Sequence, residues 1–253
     1  MTSSVAYELE RSVVIEASPD TVFRYFTDST RWASWWGAGS TIDARVGGRM
    51  CIRHPGGVEV SGEVTAVTPP ERLAFTYGYV AGPASPSSVE ITLTPTGRGA
   101  TRLHLRHVFT DEAARNEHVQ GWRYQLSIFG NLVASEVFAD AASTVDAWFT
   151  AWSEPDTGSR EALLARLVSG EIRFRDRFSL IDGLDDLRPH LAAVHRFMPG
   201  MRLERQGEVR QCQGVVLADW VARGADGAER GAGTNVFVLG GDGRIQSVTG
   251  LWK

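Results

Sequence analysis

Near residue 110 the spacing of apolar residues changes. Over residues 100–109, Leu103, Leu105 and His107 alternate with Arg102, His104 and Arg106, the period-two signature of a strand with one buried face. Over residues 111–140 the period becomes about 3.6, and Trp122, Leu126, Phe129 and Val133 fall on one stripe. Gln125, Ile128 and Leu132 widen it. A long amphipathic helix after a run of short alternating strands buries its stripe against the apolar face of their sheet. The order strand, helix, many strands, long helix therefore predicts a sheet gripping a C-terminal helix.

Upstream, residues 7–16 read as a strand. Ser18 caps a helix with Pro19 in its first position, and Val22, Phe23 and Phe26 form its apolar stripe. Trp32, Trp35 and Trp36 cluster near a turn, where such rings plug one end of a core or shape a cavity mouth. Strands follow at residues 41–46, 49–54, 58–68, 72–79 and 87–94, separated by Gly47-Gly48, Pro55-Gly56-Gly57 and Pro69-Pro70.

Beyond residue 140 the same materials return in another order. Helices are expected over 143–152, over 159–167 with Ser159 as cap, and over 184–198. The last is stopped by Pro199-Gly200. Strands are expected over 171–175, 202–212, 215–223, 231–239 and 244–252, with turns at Ala225-Asp226-Gly227 and Gly241-Asp242-Gly243. The fold class is α+β, as two tandem domains, 1–140 and 143–253, each a curved antiparallel sheet on helices.

With 253 residues the chain is long enough for two ordinary domains. Hydrophobic residues at 43% against 22% charged give a globular chain rather than a disordered one. The net charge of −4, with arginines scattered among acids and Lys253 the only lysine, argues against a nucleic-acid surface. Cys51 and Cys212 are isolated and read as free thiols. Residues 1–10 lack the pattern of a secretory signal, and no apolar run reaches spanning length, so the expectation is a cytoplasmic protein without membrane contact.

The first half carries Val14-Ile15-Glu16-Ala17-Ser18-Pro19-Asp20-Thr21-Val22-Phe23, Trp35-Trp36, Val46-Gly47-Gly48-Arg49-Met50, Gly62-Glu63-Val64, Pro69-Pro70-Glu71-Arg72-Leu73 and Gly121-Trp122, in that order. In these motifs it resembles the Hsp90-ATPase-activator-like branch of the START-like, helix-grip superfamily. That resemblance implies the helix-grip fold. Superfamily members bind apolar ligands, act as cyclases or bind chaperones.

The second half carries Trp152-Ser153-Glu154-Pro155-Asp156, Arg160, Leu163-Leu164, Phe174-Arg175-Asp176, Gly183-Leu184-Asp185-Asp186-Leu187, Met198-Pro199-Gly200, Gly233-Thr234-Asn235-Val236-Phe237 and Asp242-Gly243-Arg244-Ile245. In these it is similar to the SnoaL-like branch of the NTF2-like superfamily. The resemblance implies a cone-shaped α+β domain and a homodimer made through its sheet. Ketosteroid isomerase relatives use a tyrosine hydroxyl as an oxyanion donor, and no tyrosine follows Tyr124.

Strand parity sorts the polar candidates. His107 shares the face of Leu103 and Leu105, His54 that of Met50 and Ile52, and Tyr77 that of Leu73 and Phe75. Together with Trp35, Trp36 and Trp122 they would line an apolar cavity under the long helix, where a histidine is a candidate general base. The alternative is a histidine at a strand end, bonded to backbone. Arg49 reads as an external ion pair, and Glu59 and Glu63 as a solvated face.

In the second half Asp219 shares the face of Val215, Leu217 and Val221, where burial would raise its pKa. Val216 and Trp220 lead the opposite face, and Trp220 is a candidate ligand wall. Asp176, after Phe174, is a second inward acid. His190 and His195 flank the stripe of their helix, each offset by about 70° on the helical wheel. The set Asp219, Asp176 and His195 would converge in the cone as catalytic groups, with His107 the candidate of the first domain.

No zinc-protease motif, phosphate loop or nucleophile elbow occurs, so no metal, nucleotide or other cofactor is expected. Three functions fit: binding of a small hydrophobic ligand, a cofactor-free cyclase, isomerase or hydratase working by acid–base chemistry, and a stress-related protein-interaction module.

Overall fold

The computed structural model describes residues 6–81 and 87–253. The absence of a signal was read partly from residues 1–5, which lie outside the described residues. The chain divides into two compact units, the first ending at Val133 and the second running over Ala134–Lys253.

The first unit opens with β1 (Tyr7–Ile15), α1 (Pro19–Thr27) and α2 (Ser29–Trp36). Ser18 caps α1 by accepting from the Thr21 amide at 3.2 Å, and Asp28 caps α2 by accepting from the Arg31 amide at 2.8 Å. Then come β2 (Thr41–Ile42), β3 (Arg49–Arg53), β4 (Glu59–Thr68), β5 (Arg72–Tyr79), β6 (Ser87–Pro95) and β7 (Thr101–Phe109). They form one antiparallel sheet of order β1-β7-β6-β5-β4-β3-β2.

The strand expected over 41–46 stops after two residues. Asp43 takes the Arg49 carbonyl, the Arg45 amide turns back onto the Asp43 carbonyl, and Gly47 sits at φ 81°. The turn has consumed the last four residues of the predicted strand.

Helix α3 (Glu112–Val137) buries Trp122, Leu126, Phe129 and Val133 as its period required. Its Phe129 packs on Tyr25, Phe26 and Trp35 with ring centroids 5.8, 4.9 and 5.0 Å apart. Trp32, Trp35 and Trp36 all lie on α2 and are buried.

The second unit begins inside α3. Ala134 and Phe138 belong to its core. It continues with α4 (Ala141–Ser153), α5 (Thr157–Leu167), β8 (Val168–Arg175), β9 (Leu180–Asp182) and α6 (Leu184–Phe197). Four longer strands close it: β10 (Arg202–Cys212), β11 (Val215–Arg223), β12 (Glu229–Leu239) and β13 (Ile245–Trp252). Sheet order is β10-β11-β12-β13-β8-β9, antiparallel except where β13 meets β8.

The cap of α5 is Asp156 rather than Ser159: the Asp156 carboxylate accepts from the Ser159 amide at 2.8 Å. A carboxylate three residues upstream reaches that orphan N–H, so the helix starts earlier. The apolar stripe of α6, Leu187, Leu191 and Val194, packs into the same core as Phe174 of β8 and Trp220 of β11. Both units are thus α+β with a curved antiparallel sheet, helix-grip in the first and cone-shaped in the second.

Candidate functional site

In the second unit, the inward faces of β8, β11, β12 and β13 and the helices α4 and α6 enclose a cavity of about 330 Å³. Aromatic walls dominate it: Trp148 and Trp152 from α4, Phe174 from β8, Trp220 from β11 and Trp252 from β13. Trp152 and Phe174 stand 5.1 Å apart between centroids, and Trp220 and Trp252 meet edge to face at 5.0 Å.

Glycines on β12 make room for two of these rings. A Cβ on Gly233 would lie 2.7 Å from Cζ2 of Trp220, and one on Gly231 would lie 2.7 Å from Cζ3 of Trp252. Each indole occupies the space of a missing side chain on a neighbouring strand.

Polar groups in the wall are few. Asp176 accepts from the Phe178 amide at 2.8 Å and from the Trp252 indole at 3.3 Å. Asn235, 6% exposed, is paired across the ladder with Gly250, and both line the cavity. The His190 ring faces Trp152 and Phe174 at 5.7 and 6.2 Å, with Nε2 3.5 Å from Ser179 Oγ. Burial lowers the His190 pKa, and the Asp176 charge opposes that shift. Arg230 also reaches the wall, but its guanidinium is paired with Asp226 at 2.6 Å.

The first unit holds a cavity of its own, of about 440 Å³, lined by Trp36, His54, Tyr77, Tyr79, His118 and Trp122 among others. Tyr79 and His118 are hydrogen-bonded at 3.1 Å, and His118 Nδ1 reaches the Ala114 carbonyl at 2.7 Å. A carbonyl only accepts, so His118 carries its proton on Nδ1 and Nε2 accepts from the Tyr79 hydroxyl. Burial raises the Tyr77 pKa, with Tyr79 adding to the shift. Burial lowers that of His54, with the nearby His118 adding to the shift.

Residues 16–134 match the family described as Activator of Hsp90 ATPase homolog 1-like protein. Comparison with curated proteins gave no match. Among solved structures, the chain is similar to a putative isomerase of the SnoaL-like family from Agrobacterium tumefaciens. It is 23% identical, with 44% of this chain and 96% of that one aligned and a TM-score of 0.43. CalU16 from Micromonospora echinospora is 28% identical over 53% of this chain and 80% of its own, at a TM-score of 0.44. The Aha1 dimer from Colwellia psychrerythraea is 16% identical over 50% of this chain and 96% of its own, at 0.45. The family match falls almost entirely within the first unit. No helix among the described residues is long and apolar enough to cross a membrane.

Of the residues expected from sequence, Trp36, His54, Tyr77 and Trp122 do line the first cavity. Trp35 does not: it is buried in the core, with its indole N–H on the Tyr25 carbonyl at 3.2 Å. His107 faces inward, but both ring nitrogens are engaged. The Trp122 indole donates to Nδ1 at 2.9 Å, and Nε2 lies 2.7 Å from Ser87 Oγ. Burial pushes its pKa down to about 3. A buried imidazole with both nitrogens engaged ties the long helix to the sheet in this structure.

In the second unit Asp176 and Trp220 do line the cavity. Asp219 does not. The inward face of β11 is Val216, Ala218 and Trp220, so Asp219 lies on the outer face. There the Thr234 hydroxyl donates to its carboxylate and, with nearby Lys253, lowers its pKa, the opposite of the expected rise. His195 is also outside the wall, and His190 is the cavity's histidine. The wheel places the two symmetrically. The side of α6 turned towards Trp152 and Phe174 decides between them, and that is tertiary information. His118 and Tyr79 were missed in the first unit. Their signal was available: His118 stands one turn before Trp122, and Tyr79 follows the parity of Tyr77.

Proposed function

We propose that the chain binds a small apolar, ring-shaped molecule in the cavity of its second unit. The observation that supports this is a space of about 330 Å³ walled by six phenylalanine and tryptophan side chains and interrupted by only a few polar groups. The cavity of the first unit is the more polar of the two, with two histidines, three tyrosines and Glu117 in its lining.

The test is titration of naphthalene into the full chain, followed by tryptophan fluorescence. Ala222 lines the cavity from the sheet side, so Ala222→Leu fills it. Binding by the wild type and its loss in the folded variant is the expected result. Equal affinity in both proteins would put naphthalene elsewhere and count against the reading.

A second reading, as a cofactor-free isomerase or related acid–base enzyme, is favoured by one observation: Asp176 and His190 line the same apolar space. A carboxylate there would take a proton from carbon beside a carbonyl and return it to another position of the same molecule, leaving composition unchanged. Deuterium exchange into 2-tetralone, followed by NMR, tests it. Exchange above the buffer rate, abolished in Asp176→Asn, is expected. Exchange at the buffer rate leaves the binding reading alone.

Two copies are also inferred to pair through the outer face of β11, β12 and β13. Val215 and Val238 are cross-strand partners there, 40% and 39% exposed, and Leu251, opposite Thr234 further along the same face, is 55% exposed. A strand with apolar residues on both faces needs cover on each. A single 27.6 kDa species in sedimentation at high concentration would exclude this pairing.

A further inference from the structure

Two polar residues of the second unit's cavity, Asp176 and Asn235, meet at one corner. Strand β12 supplies Asn235, β13 supplies Gly250, and Asp176 follows the end of β8, which runs beside β13. A Cβ on Gly250 would lie 3.1 Å from Cβ of Asp176 and 3.2 Å from Oδ1 of Asn235. The two polar side chains therefore flank a single glycine, and the missing side chain leaves the gap between them open.

Their hydrogen-bonding states differ. Asp176 is held by two donors, the Phe178 amide and the Trp252 indole, and a carboxylate has lone pairs to spare beyond two. Asn235 is nine-tenths buried, lines the cavity and makes no side-chain hydrogen bond with any described residue. Its carboxamide opens onto the cavity with donor and acceptor unused by the protein, so its place in a largely apolar wall points to a partner from the ligand.

The corner offers an acceptor on Asp176 and both a donor and an acceptor on Asn235. A ligand carbonyl can use only the donor, and would set its lone pairs against the carboxylate. A carboxylate ligand would be repelled outright. A hydroxyl uses both sides, donating to Asp176 while accepting from the Asn235 amide.

We propose that the Asp176–Gly250–Asn235 corner selects ligands carrying an uncharged hydroxyl group on an apolar ring system, an alcohol or phenol. This rests on the reading of the cavity as an apolar binding site and adds the chemical class that the site takes.

The experiment compares naphthalene, 2-naphthol and 2-methoxynaphthalene, titrated into the full chain near neutral pH. The wild type is expected to prefer 2-naphthol over naphthalene by about tenfold, the equivalent of one or two net hydrogen bonds. The methoxy compound, which lacks the donor, should bind no tighter than naphthalene. Asn235→Leu should remove most of the hydroxyl preference, read as the ratio of 2-naphthol to naphthalene affinity. Gly250→Ala, which closes the gap without changing either polar residue, should do the same, and it serves if Asn235→Leu does not fold. A wild type without preference for 2-naphthol, or a folded variant that keeps the full preference, overturns the assignment while leaving apolar binding intact. Absence of binding by all three compounds overturns both.

Discussion

The indole N–H of Trp122 on α3 points at Nδ1 of His107 on β7, 2.9 Å away. An indole can only donate, so Nδ1 must be unprotonated, and the His107 proton sits on Nε2 facing Ser87 Oγ. Ser87 in turn donates to the Tyr77 carbonyl at 2.9 Å. The long helix is thus tied to the sheet by a chain that works only with a neutral imidazole.

A pH dependence follows. The His107 pKa falls from 6.5 to about 3 on folding, because burial disfavours the cation and His118 adds to that. The unfolded chain then binds more protons between these values, so this contribution to stability is complete above about pH 6.5. It is lost progressively as pH falls towards 3, at up to about 1.4 kcal/mol per pH unit. Urea denaturation over that range should show a steeper acid loss for the wild type than for His107→Gln. Parallel curves would remove His107 as the source.

Truncating the partner separates packing from hydrogen bonding. Trp122 is 3% exposed, and Trp122→Ala should lower the stability of the first unit by roughly 3–5 kcal/mol. Trp122→Phe keeps most of the ring but leaves Nδ1 of His107 without its donor, at a cost of about 1–3 kcal/mol. Denaturation midpoints that rank the Phe variant between wild type and Ala are expected. An unchanged midpoint for Ala would mean that the indole is not holding the helix.

The two units are proposed to fold independently, and the start point of the second matters. Phe138 is 3% exposed within its core, and its ring lies against Gly214. A fragment of residues 134–253 should fold, whereas one of residues 143–253 lacks Phe138 and should be less stable by roughly 3–5 kcal/mol. Circular dichroism melts of both fragments decide this, and equal midpoints would show that Phe138 contributes nothing.

Gly233→Ala should destabilise the second unit by about 1–3 kcal/mol, because its Cβ would meet the Trp220 ring and the Leu251 carbonyl. Displacing that indole should also weaken naphthalene binding. Thermal midpoint and affinity unchanged together would show that the ring moves without cost.

Much of the architecture was legible from periodicity. Strand parity put His107, Tyr77 and Asp176 inward, and the 111–140 stripe named the buried face of α3 correctly. Parity fails where both faces of a strand are apolar, as in β11. Val215, Leu217 and Val221 look as good a core as Val216, Ala218 and Trp220, and only the seating of the sheet puts Asp219 outside. The wheel fails for His190 and His195 for a related reason, since symmetry about a stripe leaves the choice to the neighbouring elements. Asn235 gave no signal at all. A polar residue between Thr234 and Val236 becomes informative only when its partners are known, and here it has none among the described residues.

The lining of the second unit's cavity is set by three positions without side chains: Gly250 in the wall, and Gly231 and Gly233 against its Trp252 and Trp220 rings. The sheet therefore carries its own volume control. A methyl group at any of the three intrudes on a different part of the lining, beneath Trp252, beneath Trp220 or between the polar pair, while the helices that close the other side stay as they are. Ligand size, aromatic contact and polar recognition can in this way diverge separately, by substitutions no larger than one carbon atom.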